Sequence, residues 1–125
     1  MSIFDHVSLT VSDYARSKAF YTAALAPLDI APAMEFDAWI GFGRDGVPQF
    51  WFGIGQKPQL PTHIAFAARS RAEVRTFHAA ALAAGARDNG APGIRAQYHP
   101  DYYGAFVFDP DGHNIEAVCH RPDEV

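Results

Sequence analysis

Three side chains in this sequence have types and spacing that suit chemistry: His6, His63 and Glu116. Glu116 lies in Asn114-Ile115-Glu116-Ala117-Val118, a carboxylate among apolar neighbours just after the turn sequence Asp109-Pro110-Asp111-Gly112. A charge buried there without a partner is expensive, so Glu116 requires a cation, a hydrogen-bond network or solvent. His6 and His63 each open an alternating run, with Val7, Leu9 and Val11 opposite His6, and Ile64 and Phe66 opposite His63. Two imidazoles and one carboxylate on a common sheet face form a metal site of mixed nitrogen and oxygen ligands. Coordination positions left open would take water or substrate. Taken singly, each has an ordinary structural role, a satisfied strand histidine or a carboxylate paired with arginine.

The segment Arg95-Ala96-Gln97-Tyr98-His99-Pro100-Asp101-Tyr102-Tyr103 is the natural place for substrate chemistry. His99 and Tyr103 are the candidate catalytic acid or base groups, provided they reach the metal-bound oxygen. Trp39, Phe50, Phe52, Arg95 and Tyr98 are candidate substrate-binding residues, joined by Trp51 as an apolar wall. His78, His113 and His120 have no matching partner elsewhere in the chain and read as structural or solvent-facing.

The elements that must position these groups follow from periodicity. Residues 3–11 alternate as a half-buried strand. Ser12 or Asp13 caps a helix that Pro27 stops, and strands are expected over 28–35, 37–43 and 47–54. Residues 56–61 connect two halves, after which the pattern restarts. A strand over 62–68 precedes a helix opened by the capping box Ser70 to Glu73 and closed by Gly85. A short strand over 86–91, a loop to Pro100 and a hairpin over 102–119 complete the chain. An offset of 57 residues relates His6 to His63, Phe20 to Phe77 and Leu25 to Leu82, which marks an internal duplication of a β-α-β-β-β unit. Aligning Asp45-Gly46 with Asp111-Gly112, an offset of 66, sets Phe50 opposite Glu116, and a symmetric turn puts Tyr103 and Ala105 on Glu116's side. The expected fold is α+β: one domain over 1–125, of two tandem βαβββ modules, about 1–56 and 62–121. They form a curved mixed sheet with the helices on its outer face.

Composition bounds the rest. With 125 residues, 49% of them hydrophobic and 19% charged, the chain suits one ordered domain with a real core. A net charge of −4 without a basic run argues against nucleic acid. There is no signal-like start or membrane-length apolar run, and the single cysteine, Cys119, cannot form an internal disulfide. A cytoplasmic protein is expected.

Asp5-His6-Val7-Ser8-Leu9, His63-Ile64-Ala65-Phe66 and Asp109-Pro110-Asp111-Gly112 leading into Asn114-Ile115-Glu116 resemble the vicinal oxygen chelate superfamily. That group includes glyoxalase I, extradiol dioxygenases, fosfomycin-resistance thiol transferases, methylmalonyl-CoA epimerases and bleomycin-sequestering proteins. The resemblance implies that His6, His63 and Glu116 ligate a divalent metal ion, with zinc, iron, nickel and manganese left open. It also implies a small oxygen-chelating substrate and a homodimer that could exchange modules. The family's lyases add a fourth ligand where this chain aligns Phe50, with Gln49 the substitute if the register slips, so the lyase chemistry is the poorer match. The alternative is a non-catalytic drug-sequestering protein of the bleomycin-resistance type, against which the retention of all three ligand types argues.

Overall fold

A computed structural model of the chain describes residues 3–55 and 60–122. Most of the expected connector between the halves therefore lies outside the described residues. The elements run β1 (Val7–Val11), α1 (Tyr14–Leu25), a single 3₁₀ turn (Ala26–Leu28), β2 (Ala31–Phe36), β3 (Trp39–Gly43) and β4 (Phe50–Ile54). They continue with β5 (His63–Ala67), α2 (Arg71–Ala83), β6 (Arg87–Ile94), β7 (Tyr103–Phe108) and β8 (Asn114–Cys119). Two four-stranded mixed sheets result, in the orders β1-β4-β3-β2 and β5-β8-β7-β6. In each, the first strand pairs in parallel with the last and the remaining pairs are antiparallel.

Local chemistry sets the element ends. Asp13 accepts a hydrogen bond from the backbone N–H of Arg16 and so caps α1. Pro27 then tightens the chain into the 3₁₀ turn, and Asp29 exits it at φ 60°, so β2 begins at Ala31 rather than Leu28. Ser70 Oγ accepts from Glu73 N–H, as the capping box requires, but the Glu73 carboxylate returns to the N–H of Arg69 instead of Ser70. At the other end Gly85, at φ 102°, reverses the chain, while Ala86 N–H reaches back to Ala81 carbonyl.

The buried positions of the two helices repeat. Ser17, Phe20, Tyr21 and Ala24 are buried on α1, and Val74, Phe77, His78 and Ala81 on α2, each pair separated by the offset read in the sequence. One apolar cluster joins both halves through Phe20, Phe52, Phe77, Val107 and Ile115, and the Phe50 and Phe66 rings meet edge to face 5.1 Å apart. The helices cover that side of the sheets. The opposite sheet face keeps His6, Ser8, His63 and Ala65 exposed.

Candidate active site

Register decides which side chains share Glu116's face. On β8, Ile115, Ala117 and Cys119 join the core, so Asn114, Glu116 and Val118 point the other way. The parallel pairing sets Ala65 beside Glu116 and His63 beside Asn114. From that position His63 Nε2 comes to 3.0 Å from Glu116 Oε1, with the histidine half exposed and the carboxylate 1% exposed. The imidazole lies nearly parallel to Phe106, centroids 6.2 Å apart, and its Nδ1 lies 3.2 Å from the Asn114 carbonyl.

The second carboxylate oxygen has a different partner from the expected one. Tyr102, immediately before β7, donates its hydroxyl to Glu116 Oε2. Its hydroxyl pKa is raised, first by burial and then by the hydrogen bond and charge of Glu116. Tyr103 and Ala105 face the helices instead, which corrects the expected assignment. The antiparallel register pairs Glu116 with Phe106 and Tyr103 with Cys119. Tyr103 sits under the guanidinium groups of Arg71 and Arg75, 5.1 and 5.9 Å from its ring centre. The physical reason is the turn. Asp109 Oδ1 accepts the N–H groups of Asp111 and His113, and Asp109 N–H donates to the His113 carbonyl, so the loop takes in His113 and closes on five residues. One extra loop residue flips every side chain of the preceding strand. Gly104 then makes the Tyr102 contact possible, because a Cβ there would stand 3.1 Å from Tyr102 Cε1 and 3.2 Å from Glu116 Oε2.

The same register corrects the match between halves. Val7 pairs with Phe50 as Ile64 pairs with Ile115, so the hairpin offset is 65 and Trp51, not Phe50, occupies the place equivalent to Glu116. Phe50 and Phe52 are 3% and 0% exposed and pack on Tyr21 in the core. Trp39 lies across Gly53 and Trp51 across Gly41, where added Cβ atoms would meet the indoles at 2.4 and 2.7 Å. Phe36 stands against Trp51, centroids 6.0 Å apart.

The remaining candidates group around Tyr102 and Phe106. Tyr98 is 64% exposed and packs edge-on against Tyr102. His99 accepts the Asp101 N–H at Nδ1 and meets edge to face the ring of His120, which contacts Tyr102 in turn. Arg95 lies over Phe106 at 5.3 Å. His6 is bound to Asp5 at 2.7 Å. With His63 it borders a cavity of about 550 Å³ walled by Val7, Ile30, Phe42, Phe50 and Phe66, to which Glu116 does not contribute. Among the described residues, no three His, Cys, Asp or Glu side chains group closely enough to hold a metal ion. One chain thus brings together His63 and Glu116 but not His6.

Comparison with known proteins agrees with this architecture. The model of the Glyoxalase/Bleomycin resistance protein/Dioxygenase superfamily matches residues 3–117. A glyoxalase/bleomycin resistance protein from Albidiferax ferrireducens T118 is 33% identical with a TM-score of 0.83, the match covering 97% of this chain and 100% of that one. Two others share the fold. A glyoxalase/bleomycin resistance protein/dioxygenase family enzyme from Burkholderia phytofirmans PsJN shows 17% identity and a TM-score of 0.72 over 94% and 98% of the two chains. A glyoxalase-related enzyme from Fulvimarina pelagi shows 19% and 0.71 over 94% and 87%. No curated protein matches the chain. No helix among the described residues is long and apolar enough to cross a membrane.

Proposed function

We propose that this chain, which belongs to the glyoxalase/bleomycin resistance protein/dioxygenase superfamily, is an enzyme that holds a divalent metal ion at His63 and Glu116 and acts on a small oxygen-chelating substrate. The observation that carries the reading is the orientation of His63. The carbonyl of Asn114 can only accept, so Nδ1, 3.2 Å away, carries the hydrogen. In the neutral imidazole Nε2 then presents a lone pair to a carboxylate oxygen 3.0 Å away, and two acceptors at that distance need a proton or a cation between them. The donor set of imidazole and carboxylate suits zinc, iron, nickel or manganese. A bound ion would supply a Lewis acid for two adjacent substrate oxygens. Tyr102 fixes the rotation of the Glu116 carboxylate through Oε2, so that Oε1 would be available to an ion, and Phe106 holds the plane of His63.

His6 of a second copy would supply the third protein ligand, in a homodimer that covers the exposed sheet face. Exposure of Met34 and Phe36 at 49% and 55% supports that pairing. The test is metal content and thermal stabilisation of wild type, His6→Ala, His63→Ala and Glu116→Gln, with the two halves of the site then combined by co-expressing His6→Ala with Glu116→Gln. Wild type should bind and be stabilised by metal, each single variant should lose both, and the mixed dimer should recover half the metal. A wild type indifferent to all four metals would end the metalloenzyme reading, and a monomer on light scattering would end the shared site. The aromatic face of Phe36, Trp39 and Trp51 supports a second reading, a flat-ligand sequestering protein, which a wild type that binds aromatic drugs without metal would favour.

A further inference from the structure

Arg95 has a surrounding that a solvent-facing arginine does not need. Its Nη1 donates to the Gly93 carbonyl and its Nη2 to the Ala91 carbonyl, each at 2.8 Å, so the guanidinium is folded back on its own strand. Phe106 lies beneath it. Strand β6 has register shifts on both sides of Gly90, and glycines stand where the cation lies. A Cβ at Gly90 would come to 3.0 Å of Nη2, and one at Gly93 to 3.2 Å of Nη1. The half-buried cation therefore occupies a cradle that larger residues would fill, and among the described residues no carboxylate pairs with it. Among the described residues two of its five N–H groups are engaged, which leaves three as donors toward a ligand.

Its position relative to the proposed metal pair is set by a shared ring. Phe106 carries Arg95 at 5.3 Å and His63 at 6.2 Å, and Phe106 is Glu116's partner across β7 and β8. We propose that Arg95 anchors an anionic group, a carboxylate or similar oxyanion, of the small substrate whose oxygens meet His63 and Glu116. This rests on the metal reading for its location, and it names the substrate class: an acid with a chelating oxygen pair, rather than a neutral diol or dione. A preorganised planar fork gives paired hydrogen bonds to an oxyanion without the ordering cost a free side chain would pay.

Benzoate and its neutral counterpart benzamide, titrated into the full chain and followed by ¹H–¹⁵N NMR at the Arg95 side chain and the Phe106 amide, separate the two ideas. The titration is done once with chelator and once with zinc. Benzoate should shift these signals with or without zinc, benzamide should bind at least tenfold more weakly, and Arg95→Met should weaken benzoate by tenfold or more. Gly93→Ala keeps the charge but displaces the guanidinium, and should weaken benzoate severalfold. Equal response to benzoate and benzamide, or benzoate affinity retained in Arg95→Met, overturns the anchor, whatever zinc does. Benzoate held through Arg95 in a protein that ignores zinc supports the anchor and removes only zinc from the metal reading, which falls when iron, nickel and manganese fail as well.

Discussion

His63 and Glu116 occupy places that the N-terminal half fills with His6 and Trp51, because Val7 and Phe50 pair as Ile64 and Ile115 do. The backbone is the same and the side chains diverge by purpose. In the N-terminal sheet the glycines make room for indoles: Gly53 under Trp39 and Gly41 under Trp51. In the C-terminal sheet Gly104 makes room for a phenol that reaches a buried acid. A duplicated frame thus offers an apolar wall on one copy and a polar site on the other. Joining them requires the two faces to meet, which the proposed dimer would do.

The sharpest way to break this comparison is to add a methyl group to each copy. Gly53→Ala would place Cβ 2.4 Å from Trp39 Cδ2 and 2.6 Å from the Ala38 carbonyl, a backbone clash that side-chain motion cannot relieve. Its cost should be about 3 kcal/mol, the upper end for overpacking, read as a lowered midpoint in urea. Gly104→Ala meets only movable side-chain atoms on its near side, so it should cost less, about 1 kcal/mol, while displacing Tyr102 from Glu116. Loss of metal stabilisation at nearly normal stability would mark the second glycine as belonging to the site. An equal destabilisation by both would erase the distinction.

Aimed at the seam between the halves, and falling between the two glycine variants or level with the larger, is Tyr21→Phe. Tyr21 is fully buried and donates to Asp109, the residue that organises the five-residue turn before β8. Burial, and then Asp109, push its hydroxyl pKa well up, so the phenol stays a donor. Removing the hydroxyl strands one carboxylate oxygen and should cost about 1.5–3 kcal/mol, as for other bonds to charged groups. Because this turn sets the parity of β7, the variant should also loosen Tyr102. Hydrogen exchange should rise in the turn and β7 ahead of β3.

That turn also explains how far the fold could be read from residues alone. The strand and helix of each half were legible because their apolar periodicity is local, and the offset of 57 carries through to the buried faces of both helices. His63 and Glu116 were legible for the same reason, as polar groups opposite apolar ones on neighbouring strands. Tyr102 was not. Choosing between Tyr102 and Tyr103 depends on whether His113 belongs to the turn or to the strand, and that depends on a long-range bond from Tyr21 and on Asp109's capture of two N–H groups. The partner of Glu116 across the duplication, Trp51 rather than Phe50, failed by the same single-residue parity. Extension of β6 to Ile94 through Gly90, Pro92 and Gly93 ran against strand propensity and became visible only with Arg95 in the glycine cradle.

The weakest expected effect tests whether the buried helix polar groups remain equivalent. His78 on α2 matches Tyr21 on α1, and each bonds an aspartate, but His78 reaches Asp88 on the adjoining strand β6, at 2.9 Å, whereas Tyr21 crosses to the other half. The backbone N–H of Gly90, and then His78, hold the Asp88 carboxyl below its ordinary value of 3.8. A lowered carboxyl pKa stabilises the fold above the ordinary value, and that contribution disappears as pH falls through the lower, folded one. Asp88→Asn should therefore flatten the loss of stability below about pH 4. The change should be small because the carboxylate is more than half exposed. Tyr21→Phe should lower stability by the same amount at pH 5 and pH 8, since a phenol raised by burial does not titrate there. Matching pH profiles for the two variants would mean that the helix positions kept one role, and a divergence confined to the acid side would show that the halves now use them differently.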